Sequence, residues 1–278
     1  RQDQAFLEVC RQVLPDFTPE DLVGSPYCVR NYRVDENLGG PPGLAAARRK
    51  LSERGLNLML DLVPNHVAPD HPWVEAHPEY FIHGEPLDLE RQPGLFVKVG
   101  SQILAHGRDP YFPPWPDVVQ VNAFSPAYRQ ALVDVIGSLA RQCDGVRCDM
   151  AMLLVNHVFR QTWGRRAGDP PAREFWEEVI GAVRGKYPHF LFLAEVYWDM
   201  EWTLQQQGFG YCYDKRLYDR LVHENAEAVR LHLTAEMSYQ EKLVRFIENH
   251  DEPRAAATFT PEQARAAAQA GADVIAVI

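Results

Sequence analysis

The chain has 278 residues, within the span of one α/β barrel, and 46% of them are hydrophobic, enough for a core of that size. A formal net charge of −10 with no Lys/Arg cluster argues against a nucleic-acid partner, and no apolar run reaches membrane-span length. The five cysteines (Cys10, Cys28, Cys143, Cys148, Cys212) are odd in number and lack zinc-type spacing, so free thiols and a cytoplasmic setting are expected.

Residues 1–14 carry an amphipathic helical pattern, and TPEDLV at 18–23 reads as a turn of helix capped by Thr18 with Pro19 at its first position. PYCVRNYRV (26–34) is rich in β-branched and aromatic residues and reads as a strand. Gly39-Gly40-Pro41-Pro42 opens a helix that Gly55 stops, and the strand LNLMLDLV follows, apolar on both faces except at Asp61. Residues 64–124, rich in Pro, His and aromatics, show no convincing helix and read as an irregular inserted subdomain.

Ser125, with Pro126 behind it, caps a helix to about Gln142, and GVRCDMAM (145–152) is the next strand. Helices are expected at 155–164 and 170–185, then the strand HFLFLAEVYW (189–198). A weaker strand at 208–214, one helix over 215–229 and the strand LVRFIENHD (243–251) come next. Thr260-Pro261-Glu262-Gln263 resembles a capping box opening a helix, and DVIAVI (273–278) reads as a last strand.

Strand–helix alternation of this kind implies a parallel sheet. Seven candidate strands against the eight of a TIM-type (β/α) barrel leave the barrel incomplete, its first strand missing before Arg1. The expected organisation is a barrel over 1–63 and 125–278, with 64–124 inserted after the third barrel strand.

Four of these strands place an acid at or just past the C-terminal end: Asp61, Asp149, Glu195 and Asp251. Apolar strands normally expel carboxylates, so that end is a polar site, and paired carboxylates are the apparatus for glycoside hydrolysis. Arg147 lies two residues before Asp149 on the same strand face and favours its ionised form, which suits a nucleophile. A structural salt bridge is the plainer reading of that pair alone. Glu195 closes an apolar run and precedes the aromatics Tyr197 and Trp198, surroundings that keep a carboxyl protonated and suit an acid/base. Asp251 supplies a third carboxylate to brace a developing positive charge, and His66 and His250 each follow an Asn beyond a strand, placed to meet sugar hydroxyls.

The four motifs, in order and spacing, resemble those of the α-amylase family, glycoside hydrolase family 13. They are Asp61, Asn65 and His66; Gly145, Arg147 and Asp149; Glu195; and Asn249, His250 and Asp251. The resemblance covers about residues 25–254 and implies a retaining glycosidase of α-glucosidic bonds in α-glucans or maltooligosaccharides, with a transglycosylase or isomerase on the same site as the alternative. It makes Asp149 the nucleophile, Glu195 the acid/base and Asp251 the transition-state stabiliser. Tyr27, Asp61, His66, Arg147, Trp198 and His250 become substrate contacts, Tyr27 stacking under the sugar. Asn65 matches a residue that holds calcium in relatives, though no cofactor is required. DVVQVN (117–122) resembles a looser fifth motif, and Asn31 stands where relatives often have Asp. Trp73, Tyr111, Phe112 and Trp115 are candidates to line further sugar subsites, with some of them expected to form the insertion's own small core.

Two readings of other classes remain open on the residues alone. Asp61, His66, Asp70, His71, His250 and Asp251 include the ligand types of a metal-dependent hydrolase. A non-catalytic barrel is the other, although such a protein would be expected to lose at least one of the three acids.

Overall fold

The computed structural model describes residues 4–270 apart from 19, 20, 22 and 23, so the strand expected at 273–278 and most of the turn at 18–23 lie outside the described residues. The strands are β1 (Met59–Leu62), β2 (His66–Val67), β3 (Phe96–Val99), β4 (Gln102–Gly107), β5 (Trp115–Gln120), β6 (Gly145–Cys148), β7 (Leu191–Ala194), β8 (Tyr211–Tyr213) and β9 (Leu243–Val244). β1, β6, β7, β8 and β9 pair in that order as one sheet, parallel throughout. β2, β5, β4 and β3 pair in that order as a separate antiparallel sheet.

Helices Pro126–Leu139, Phe175–Lys186 and Lys215–His223 fall between strands of the parallel sheet. Ser125 caps the first of them as its sequence indicates: its hydroxyl accepts from the Tyr128 N–H at 3.3 Å and Pro126 takes the first helical position. Between sheet and helices lies an aromatic core in which Trp176, Phe192 and Phe209 are almost wholly enclosed. The Trp176 indole N–H donates to the Ala151 carbonyl at 2.8 Å, which satisfies the one polar atom that this ring buries.

Four expectations need correction. Residues 26–34 join no sheet. Side chains hold that segment instead: the Tyr32 hydroxyl accepts from the Val63 N–H at 2.8 Å and contacts the Val63 carbonyl at 3.2 Å. The stretch 64–124 is not irregular. It carries the whole antiparallel sheet and short helices at Pro72–Ala76 and Pro86–Arg91, and a register shift between His106 and Gly107 blurs its period-2 pattern. The helix expected over 215–229 is two helices, Lys215–His223 and Ala226–His232, because Glu224 is extended and the Asn225 side chain recaps the chain at Ala228 N–H. The parallel strands are also shorter than their apolar runs. β6 stops at Cys148, where Met150 turns left-handed, and β9 covers two residues, so Asp251 sits on the loop beyond it.

Candidate active site

Strand register brings the polar residues to one face. Asp61 pairs with Arg147, Arg147 with Leu193, and Leu193 with Tyr211. Side chains two apart on a strand share a face, so Asp149, Glu195 and Tyr213 project from the same side as Asp61 and Arg147. Gly145 permits the close approach of β6 to β7: a Cβ there would lie 2.7 Å from the Leu191 Cβ and 2.8 Å from its carbonyl oxygen.

Arg147 is the hub. Its Nη1 contacts Asp61 Oδ1 at 2.9 Å and Asp149 Oδ1 at 3.1 Å, its Nη2 lies 2.9 Å from Glu195 Oε2, and its Nε donates to the Tyr213 hydroxyl at 3.2 Å. Burial opposes the guanidinium charge, but Glu195, Tyr213, Asp61 and Asp149 outweigh it and hold Arg147 above its usual range. One cation is therefore divided among three carboxyl groups, and Asp149 is incompletely compensated. Burial first, and the Glu195 charge second, push Asp149 up to about 8 against the pull of Arg147. Arg147 does favour the ionised form of Asp149, as the sequence indicates, but burial and the Glu195 charge outweigh it in the ligand-free site. Near neutrality the ligand-free site therefore favours the protonated form of Asp149. Glu195 itself accepts from the Met150 N–H at 2.7 Å and from the Tyr197 hydroxyl at 2.7 Å.

Asp149, Glu195 and Asp251 line one cleft of about 390 Å³, together with Tyr27, His66 and Trp115. That volume falls in the ordinary range of small-molecule sites, roughly 300–1,000 Å³. Asp251 is half exposed, and its loop is fixed by Asn249, whose Oδ1 accepts from the Asp251 N–H at 2.9 Å and the Glu252 N–H at 2.8 Å. His250 Nε2 lies 3.1 Å from Asp251 Oδ2 and hydrogen-bonds the Tyr27 hydroxyl, and the Arg147 guanidinium sits 5.8 Å over the Tyr27 ring. His66 comes from β2, tilted against Trp115 at 5.2 Å, and Gly107 leaves the room they occupy. Burial lowers His66 to about 4, so its imidazole is neutral at ordinary pH, and its buried Nδ1 has no hydrogen-bond partner.

Other expected site residues fall elsewhere. Trp198 leaves the cleft because it and Asp199 are left-handed, with φ of 64° and 57°. It packs edge-on against Tyr111 at 4.9 Å and lines an adjoining cavity of about 440 Å³. Asp61, half exposed, pairs with Arg147 and lines a neighbouring cavity with Tyr27. Asp70 pairs with Arg30 at 3.0 Å and His71 Nδ1 accepts from the Trp73 N–H at 3.1 Å, so the metal-hydrolase set is not assembled. No group of three or more His, Cys, Asp or Glu fit for a metal occurs among the described residues. The Asn65 amide interlocks with Gln120: Nδ2 donates to Gln120 Oε1 at 3.2 Å and Oδ1 accepts from Gln120 Nε2 at 3.0 Å. Sequence reasoning missed Tyr213 and the Tyr197 hydroxyl as partners of Arg147 and Glu195. Their only signal is position: Tyr213 ends β8 in register with the site, and Tyr197 lies two residues past Glu195.

Comparison with known proteins identifies the family. The alpha-1,4-glucan:maltose-1-phosphate maltosyltransferase of Rhodospirillum rubrum is 29% identical over 189 residues, 64% of this chain and 22% of its own length. The trehalose synthase/amylase TreS of Mycobacterium tuberculosis is 26% identical over 203 residues, 66% of this chain and 32% of its own length. An alpha-amylase structure from Lactobacillus plantarum matches with a TM-score of 0.59 at 25% identity, covering 86% of this chain and 54% of that one. An alpha-amylase structure from H. orenii shares the fold at a TM-score of 0.66 and 18% identity, covering 88% of this chain and 54% of that one. The chain thus spans less than a third of the length of these two curated relatives and about half that of the two solved structures. Residues 17–278 match the family described as alpha amylase, catalytic domain. With its parallel sheet belonging to that family's TIM-type barrel, the chain is a member of the alpha-amylase catalytic-domain family.

Proposed function

We propose that the protein is a retaining glycosidase acting on α-glucosidic bonds of α-glucans or maltooligosaccharides. The observation that carries this reading is the meeting of Asp149, Glu195 and Asp251 in one cleft of about 390 Å³, with Tyr27 and His66 on its walls. Asp149 attacks the anomeric carbon and forms a glycosyl ester while Glu195 gives its proton to the departing oxygen. Glu195 then takes a proton from water, which attacks the anomeric carbon, breaks the ester and returns the Asp149 carboxylate. Asp251 faces the oxocarbenium-like charge between these steps. Attack needs Asp149 bare and Glu195 protonated, so the proton that burial favours on Asp149 must sit on Glu195 once substrate fills the cleft. Neutral His66 and the Tyr27 ring contact the sugar.

Replacing water by a second sugar converts hydrolysis to transfer on the same intermediate. Relatives named for amylase, trehalose synthase and maltosyltransferase activity favour keeping that alternative. The division into a barrel over 1–63 and 125–278 with 64–124 inserted after the third barrel strand belongs to this reading, supported by the antiparallel strands lying within 64–124.

The test is turnover of maltooligosaccharides with the anomer released followed by NMR. Retention is expected, with Asp149→Asn inactive and Glu195→Gln slowed on the order of 10²–10⁴-fold, both folded by circular dichroism. Inverted product, or either variant at near-normal rate, refutes it.

A further inference from the structure

We infer that Lys215 is a positioning residue for the reaction: through Glu252, its ammonium fixes the loop that carries Asp251 against the cleft. This rests on the retaining reading above and deepens it. Asp251 has to face the anomeric carbon while positive charge develops there, so its distance from that atom sets how much it stabilises. β9 alone does not fix that distance, because it ends at Val244, well short of Asp251. Most hydrogen bonds around Asp251 close the loop upon itself. Asn249 Oδ1 accepts from the Asp251 and Glu252 N–H groups, Glu248 Oε2 accepts from the Ala255 N–H at 2.6 Å, and Arg254 Nη2 lies 2.8 Å from Glu248 Oε1. These bonds shape the loop without joining it to the sheet. His250 reaches Tyr27, which belongs to a segment outside both sheets. Glu252 reaches the body of the domain: its Oε1 lies 3.0 Å from the Lys215 ammonium, with only 18% of the Glu252 side chain and 19% of the Lys215 side chain exposed.

Lys215 is the fixed end of that pair. It opens the helix Lys215–His223, whose cap, Asp214, is buried. Asp214 Oδ1 accepts from the Leu217 N–H at 3.1 Å, and the Asp214 N–H donates to the Val244 carbonyl at 2.9 Å. Asp219, one turn along the same helix, holds the ammonium at 2.5 Å, and the Tyr218 ring lies 4.8 Å from it. Tyr218 is itself buried and stacks on Phe246 at 5.6 Å. Burial disfavours the ammonium, but Asp219 and Glu252 outweigh it and hold Lys215 above its usual range, so the charge persists near neutrality. Tyr213, two residues earlier, accepts from Arg147 Nε. Residues 213–215 therefore reach the site twice, once through Arg147 and once through Glu252. Lys215 also lines the adjoining cavity of about 440 Å³, so positioning has to be separated from direct contact with substrate.

Lys215→Met, Glu252→Gln, their double variant and Lys215→Arg, each checked for folding by circular dichroism, are compared with the wild type on maltotriose. Misplacing a catalytic group by about 1 Å can cost about 100-fold in rate. With the Asn249 and His250 contacts left in place, kcat should fall about tenfold in each of Lys215→Met and Glu252→Gln. The double variant should fall no further, since both changes remove one interaction. Lys215→Arg keeps the charge and should stay within about threefold. Inhibition by 1-deoxynojirimycin, a cationic sugar mimic, should weaken about tenfold in both single variants, while inhibition by neutral maltose changes less than about twofold. Single variants at wild-type kcat, losses that multiply in the double variant, or equal weakening of both inhibitors overturn this inference and leave the retaining reading standing. So does a loss in Lys215→Met with none in Glu252→Gln, which assigns Lys215 to direct contact. Asp251→Asn at near-normal rate, or inverted product or no turnover from the wild type, means that the retaining reading has failed and this inference with it.

Discussion

Asp149→Asn should stabilise the ligand-free protein while destroying its activity. Asp149 is buried, and its carboxyl is pushed up to about 8 by burial and by Glu195. In the unfolded chain it titrates near 3.9. A carboxyl raised on folding favours the folded state fully below its unfolded value, and that advantage is lost as pH rises through the folded value. At pH 7 the difference spans about 3 pH units at about 1.4 kcal/mol each, an upper bound of roughly 4 kcal/mol. The amide keeps an oxygen for Arg147 but gives up a charge-assisted bond, so the net gain expected is roughly 1–3 kcal/mol. Urea melts of both proteins from pH 4 to 9 test this. The curves should meet near pH 4, diverge as pH rises and run parallel above pH 8. A variant less stable at pH 8, or a gap that does not change with pH, refutes the account of the site as an under-compensated pair.

Two further substitutions probe the surroundings of the carboxylates. Tyr213→Phe strips the Arg147 Nε of its 3.2 Å partner in a buried setting. It should cost roughly 1–3 kcal/mol in thermal unfolding, and kcat should fall on the order of tenfold, the equivalent of about 1.4 kcal/mol in the barrier. Gln120→Ala leaves the buried Asn65 amide without its partner and loosens the junction of β2 with β5 beside His66. A loss of roughly 1–3 kcal/mol in chemical denaturation is expected, with KM for maltooligosaccharides rising more than kcat falls.

How much of this was legible in the sequence depended on which residues set each element. Asp149 and Glu195 were readable because apolar strands expel carboxylates, and both lie one residue past a strand end. The segment 26–34 was misread because its aromatic residues, which suggest a strand, are used in other ways: Tyr27 faces the cleft and Tyr32 ties to Val63. The antiparallel sheet within 64–124 was hidden by short strands and the shift at His106 and Gly107. Trp198 follows Tyr197 directly, and nothing in its identity foretells the two left-handed residues that turn it into the neighbouring cavity. The net rise at Asp149 was not legible for a different reason. Local sequence shows one Arg and one Asp two residues apart. It does not show that Asp61 and Glu195 arrive from neighbouring strands to share the same guanidinium.

That sharing follows from register, and register makes the site an all-or-nothing product of the fold. Arg147 touches three carboxyl groups because β1, β6 and β7 align residue 61 with 147 and 147 with 193. A slip of one residue between β6 and β7 would send Glu195 to the opposite face from Arg147 and Asp149. Asp149 would then no longer lie beside the Glu195 charge that helps to raise it. Gly145 stands at the start of β6 opposite Leu191, where a side chain would collide with both the Leu191 side chain and its carbonyl. The residue that fixes the spacing of two strands therefore also governs whether two carboxyls at their far ends can divide the roles of nucleophile and acid. A glycine four residues before Asp149, with no chemistry of its own, thus sets the strand spacing on which the proposed reaction depends.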